Sequence, residues 1–135
     1  MANEATLFIE IGQPIPFTVA DGTGIEKGSV LKMTDPMTAA QTTAVGDIAA
    51  GIAASEKIAN DGVTKLGVYR SGIFKVTISG GVAVGDPVTT SDSIVANSFE
   101  KAATNEEDIW GTALETGTDG QTILIELKPF GVSLA

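Results

Sequence analysis

The sequence predicts a mainly β fold. The domain is barrel-like or made of two packed sheets, with an internally duplicated β unit, an extended N-terminal arm and at most short helices. Three observations predict it. First, the chain reads twice: Gly24-Ile-Glu-Lys-Gly28-Ser-Val-Leu-Lys-Met-Thr34-Asp35 matches Gly81-Val-Ala-Val-Gly85-Asp-Pro-Val-Thr-Thr-Ser91-Asp92 in residue type. Second, apolar and polar residues alternate with period two in several short runs, the pattern of half-buried strands. Third, 16 Gly and 5 Pro are scattered over 135 residues with no collagen-like period, as many short strands need many turns.

In chain order, Leu7, Ile9 and Ile11 alternate with Thr6, Phe8 and Glu10, and Pro14 and Pro16 follow. Proline is poorly tolerated inside a central strand. Residues 1–13 therefore read as a separable arm, and residues 14–135 as a single β domain. Two roles fit the arm: strand addition to another protein, or an edge strand of the chain's own sheet. Asp21-Gly22-Thr-Gly24 is a turn, and Gly28-Ser29 and Gly85-Asp86 are tight turns ahead of strands Val30 to Met33 and Pro87 to Thr90. Asp35-Pro36 and Ser91-Asp92-Ser93 close those strands. Ala39 to Asp47 reads as loop or short helix. Ala50-Gly51-Ile52-Ala53 and Trp110-Gly111-Thr112-Ala113 read as matching strands.

Val63 to Arg70 and Ile73 to Ser79 flank Ser71-Gly72 as a hairpin, with Phe74, Val76 and Ile78 on one face. Gly80-Gly81 separates pseudo-repeats of about 24–79 and 81–130. Ser98 to Asp108 reads as a solvated loop or short helix. The last strand puts Ile123, Ile125 and Leu127 on one face and stops at Pro129. The total is about ten short strands.

Composition excludes much chemistry. There is no Cys and no His, so disulfides, thiolate and imidazole catalysis and the usual zinc ligand sets are out. Paired carboxylates could serve acid–base work, but the one cluster, Glu106-Glu107-Asp108, lies in a polar stretch with nothing apolar to raise a pKa. Asp35, Asp47, Asp61, Asp86, Asp92 and Asp119 sit at turns too short for a calcium loop, and turn formation explains them. Gly80-Gly81-Val-Ala-Val-Gly85 lacks the Gly-Lys-Ser/Thr of a phosphate loop. No catalytic, cofactor or metal site is expected, and no enzyme.

Net charge is −9 and the eight Lys and Arg are dispersed, so direct nucleic-acid binding is not expected. The longest apolar stretch, Ile48 to Ala54, is far short of a membrane span, and Met1-Ala-Asn-Glu carries no signal-peptide pattern. Trp110 replaces Ala50 in the repeat and is either core or a subunit-interface anchor; Tyr69, Arg70 and Phe74, on the predicted hairpin, are interface candidates with it.

Ala50-Gly51-Ile52-Ala53-Ala54, a turn, and then Leu66-Gly-Val-Tyr69-Arg70-Ser71-Gly72-Ile73-Phe74 resemble the head-decoration proteins of lambda-type tailed phages. Gly80-Gly-Val-Ala-Val-Gly-Asp-Pro-Val88 through Ile109-Trp-Gly-Thr-Ala-Leu-Glu115 resemble phage capsid cement proteins more broadly. The resemblance covers roughly residues 24–128 and rests on the order and spacing of these motifs. It implies a virion protein, made in the host cytoplasm, that binds the outer capsid surface as a homotrimer at three-fold and quasi-three-fold positions. Its partners would be the major capsid protein and itself. It further implies a capsid-binding arm, here Ala2, Asn3, Glu4, Ala5, Thr6, Leu7, Phe8, Ile9, Glu10 and Ile11. The chain differs from the lambda-type pattern in length and in its N-terminal segment. A fibre base or spike module, and a glycan-binding β module, are the alternatives.

Overall fold

The computed structural model describes residues 3–91, 97–103 and 108–132. Among them the chain is all β, with no helix. Strands β2 (Ile15–Thr18), β3 (Val30–Asp35), β4 (Thr38–Gln41), β5 (Ala49–Ala53) and β6 (Lys65–Tyr69) close into a barrel in the order β2-β4-β3-β5-β6. Strands β7 (Gly72–Ile78), β8 (Pro87–Thr90), β9 (Ser98–Lys101), β10 (Asp108–Ala113) and β11 (Thr122–Val132) close into a second barrel in the equivalent order. One pairing in each is parallel, β2 with β4 and β7 with β9. Strand β1 (Thr6–Ile9) lies outside both barrels, on the edge of β7.

The duplication extends to single hydrogen bonds. Gly28 N–H donates to Ala53 O at 2.9 Å and Ala53 N–H to Ser29 O at 2.9 Å; Gly85 and Ala113 repeat this at 2.8 and 2.9 Å, with Asp86 in the place of Ser29. Met37 and Asn97, each just ahead of its barrel's third strand, both take positive φ, 50° and 59°. The repeat boundary, however, falls at Ser71-Gly72 and not at Gly80-Gly81. Strands β6 and β7 do not form the expected hairpin. Each barrel closes on itself, so β6 spends its edges on β2 and β5, while β7 spends its own on β11, β9 and β1.

Three further expectations are corrected by pairing. Residues 38–41 form β4 because β3 offers an open edge, and Ala39 points into the core. Residues 98–101 form β9 with Ser98 and Phe99 buried, so this stretch is not a solvated loop. Strand β11 runs past Pro129 to Val132. Its register with β10 shifts between Ile109 and Gly111, and this irregularity accommodates a residue without an N–H.

Each barrel is filled by its own side chains, as small barrels are. Phe17, Val19, Ile25, Leu31, Ala50, Leu66 and Val68 fill the first. Phe74, Val76, Ile78, Val88, Phe99, Trp110, Ile123, Ile125 and Leu127 fill the second. The faces Phe74/Val76/Ile78 and Ile123/Ile125/Leu127 are buried as the alternation predicts. The second core also includes Val30, Ala49 and Ile52 from the outer face of the first barrel.

The shared Gly-x-Ala strand has a packing cause. A Cβ on Gly51 would fall on the carbonyl oxygen of Tyr69, and one on Gly111 on that of Glu126. Adjacent strands close so tightly there that only glycine fits. Gly111→Ala is therefore expected to cost about 1–3 kcal/mol or more of unfolding free energy, measured by urea denaturation, because the clash is with backbone and no rotamer relieves it.

Candidate binding surfaces

The described part of the N-terminal segment is paired with the body of the fold, and Met1 and Ala2 lie outside the described residues. Strand β1 pairs antiparallel with β7, Thr6 opposite Lys75 and Leu7 opposite Phe74. Ala5 is buried in the second core, and its N–H donates to Gly28 O at 2.8 Å. The backbone of Ala5 lies directly against Gly28, whose Cβ position it occupies. The edge strand, one of the two roles read from the sequence, is present in the structure. The edge it presents is still a surface. The outer edge of β1 has no strand partner among the described residues, and Phe8, Ile9 and Ile11 are 61%, 48% and 57% exposed. An apolar, unpaired strand edge is a template for strand addition.

The four interface candidates separate. Trp110 and Phe74 are inside the chain's own core and offer nothing to another subunit. Trp110 packs edge-on against Phe99 with centroids 5.8 Å apart, and its indole N–H donates to Asp47 O of the first barrel at 2.9 Å. Tyr69 is half-buried, edge-on to Phe74 at 5.6 Å. Arg70 donates from one guanidinium nitrogen to Ala49 O and Ala50 O at 2.9 and 3.0 Å. All four serve the seam between the barrels.

Of the carboxylate cluster, Glu106 and Glu107 lie outside the described residues. Asp108 opens β10 and is buried, contrary to the polar setting expected for it. Its Oδ2 accepts the Ala49 N–H at 2.9 Å, and burial raises its pKa above the ordinary aspartate value against the pull of that bond and of Arg70. Four of the turn aspartates hold backbone. Asp47 accepts from Thr43 and Ala44 N–H, Asp61 from Val63, Asp86 from Ala83 and Asp119 from Gly80. Asp92 lies outside the described residues.

Sequence reading passed over Lys57, whose side chain is fully buried. Its Nζ donates to Asp21 O, Asp21 Oδ1, Ile58 O and Asp61 Oδ1 at 2.7–3.1 Å. Burial pushes this ammonium down, but Asp61 and Asp21 outweigh it and hold its pKa above the ordinary lysine value. In return the Lys57 ammonium holds Asp61 below the ordinary aspartate value. The pair stitches the 21–24 turn to the 58–62 turn. The bridge Ile25 to Lys57 repeats as Val82 to Gly117 in the second barrel. A lysine where the other copy has glycine was the available signal. No group of three Asp or Glu able to hold a metal exists among the described residues.

Two outcomes follow from this geometry. Gly28 and Gly85 share φ values of +87° and +89°, but only Gly28 has Ala5 against it, and Gly85 has open space. Gly85→Ala should cost about 1–2 kcal/mol for backbone conformation alone. Gly28→Ala should cost more and should also speed amide exchange in β1, measured by hydrogen exchange. For Asp108, a raised folded pKa means that the protonated form is favoured by folding. Relative to Asp108→Asn, the native chain should therefore gain stability as pH falls from neutral towards about 4, and lose it again as pH rises through the folded pKa. Paired urea titrations across pH measure this difference with the other carboxylates cancelling.

No protein-family model matches the chain, and no curated protein matches it in sequence. Among solved structures, the chain is similar to the N base of head fibre gp8.5 of bacteriophage phi29. The TM-score is 0.56 and the identity 17%, over 84% of this chain and 93% of that one. At that identity the similarity establishes a shared fold.

Proposed function

We propose that this protein is a structural component of a phage head, bound to the outer surface of the capsid and acting by binding alone. The observation that carries the reading is the similarity of nearly the whole chain to the base of a phage head fibre. The lambda-type and cement-protein motifs of the sequence point the same way. Recognition would run through the outer edge of β1, where the shell supplies a strand and Phe8, Ile9 and Ile11 supply apolar contact. A homotrimer at three-fold positions would engage three capsid subunits at once and gain avidity by effective concentration. The net charge of −9 would keep coated particles apart in solution.

A second reading, the base of a head fibre, is favoured by the identity of the structural neighbour. Copy number separates the two, since a decoration protein saturates the shell and a fibre base occupies few sites.

The test uses mature capsids of the cognate phage and purified protein. Co-sedimentation with densitometry gives copies per shell. The native chain should bind, and Phe8→Asp with Ile11→Asp should lower capsid affinity at least tenfold with no change in melting temperature. Equal binding by that variant removes β1 from the contact, and absence of binding by the native chain removes the capsid reading.

A further inference from the structure

The contact between the two barrels is head-to-tail. The outer face of barrel one at β3 and β5 is laid on one end of barrel two, the end where β8 stops and β9 and β10 start. Four of the hydrogen bonds across it set the register. Val30 N–H donates to Asn97 Oδ1 at 2.9 Å and Ala49 N–H to Asp108 Oδ2 at 2.9 Å. Asp47 N–H donates to Thr90 Oγ1 at 3.3 Å, and the Trp110 indole to Asp47 O at 2.9 Å. Because the barrels are copies, each half of this contact exists twice, and one copy of each half has no partner among the described residues.

The unused end is on barrel one. Met37 stands where Asn97 stands, and Ile48 where Asp108 stands. They are 48% and 60% exposed, and Ile15 at the start of β2 is 38% exposed. The unused outer face is on barrel two. Pro87 stands where Val30 stands and Thr112 where Ile52 stands; both are exposed. Between them lies an open depression of about 320 Å³, lined by Pro87, Ile109, Gly111, Thr112 and Lys128.

One donor–acceptor pair has changed at both ends in the unused halves. Within the chain, the Val30 N–H needs the Asn97 acceptor. At the equivalent places Pro87 has no N–H to give and the Met37 side chain no oxygen to accept one. Asp108, which accepts from Ala49, is replaced by Ile48, an apolar side chain that is 60% exposed, while Ile109 in the place of Ala49 keeps its N–H. The donor and acceptor lost together at Pro87 and Met37 leave no unsatisfied polar group between those two positions if the faces meet.

We propose that these faces meet between copies: the barrel-one end of one chain, with Met37 and Ile48, receives the barrel-two outer face of a second, at Pro87 and Thr112. Each chain then carries one face of each kind, and such a heterologous contact propagates until it closes a ring. Three copies in a ring would set six barrels round one axis. This deepens the self-association proposed above and assigns its faces.

The test is sedimentation velocity of the purified chain with two surface variants, Ile48→Glu and Thr112→Glu, each checked for native melting temperature. The native chain should sediment as a closed oligomer and each variant alone as a monomer. Mixed in equal amounts, the variants should form a dimer and nothing larger, because one good end and one good face remain. A further variant, Met37→Cys with Pro87→Cys in this cysteine-free chain, should give an intermolecular disulfide ladder on non-reducing gels. A native chain that is monomeric at all concentrations overturns both this assignment and the homotrimer reading. An oligomer that both glutamate variants leave intact, with no disulfide ladder, overturns this assignment alone. Neither outcome bears on capsid binding, which is read separately.

Discussion

The second barrel is not complete until the first is laid on its end. Val30, Ala49 and Ile52 point away from the interior of their own barrel, yet they are buried, because they finish the core around Trp110, Phe74 and Leu127. That one burial fixes the rest of the seam. It takes Asp108 out of water and so demands the Ala49 N–H. It also buries Asn97, whose side-chain oxygen accepts from both Val30 N–H and the Gln41 amide. A buried polar group is tolerated only with such partners. Two small barrels, each with its own core, thereby share an apolar seam, which favours unfolding as a single cooperative body.

The N-terminal strand belongs to the same unit. Ala5 crosses from the Gly28 turn of barrel one to the core of barrel two, and β1 then extends the sheet at β7. The segment ties the two halves together on its inner side and leaves Phe8, Ile9 and Ile11 facing water on the other. A stabilising strap and an exposed strand edge are thus the same residues, so damage to its inner contacts and damage to its outer ones have separable effects.

Among the described residues the buried ionisable groups, Lys57 and Asp108, are each bound to fixed backbone or carboxylate partners, and the turn aspartates Asp47, Asp61, Asp86 and Asp119 are bound to backbone N–H groups. These groups hold loops in place. Exposed apolar side chains lie on and just beyond β1, at Phe8, Ile9 and Ile11, and on barrel one at Met37 and Ile48.

The amino-acid sequence by itself determined the duplication, the strand character of most segments, the inward faces of β7 and β11, and the tight glycine turns. These depend on local sterics and on period-two burial, which are written residue by residue. It did not reveal where one repeat ends and the next begins, since β6 and β7 look like a hairpin until barrel closure has used their edges. Nor did it reveal β4 and β9, whose small or polar residues become strands only because a neighbouring edge is open. The burial of Asp108 was likewise decided by tertiary structure: whether the first residue of a strand meets water or another barrel depends on how two closed sheets stack, and no local pattern encodes that contact. Lys57 is buried because the turns at Asp21 and Asp61, distant from each other in sequence, close over it.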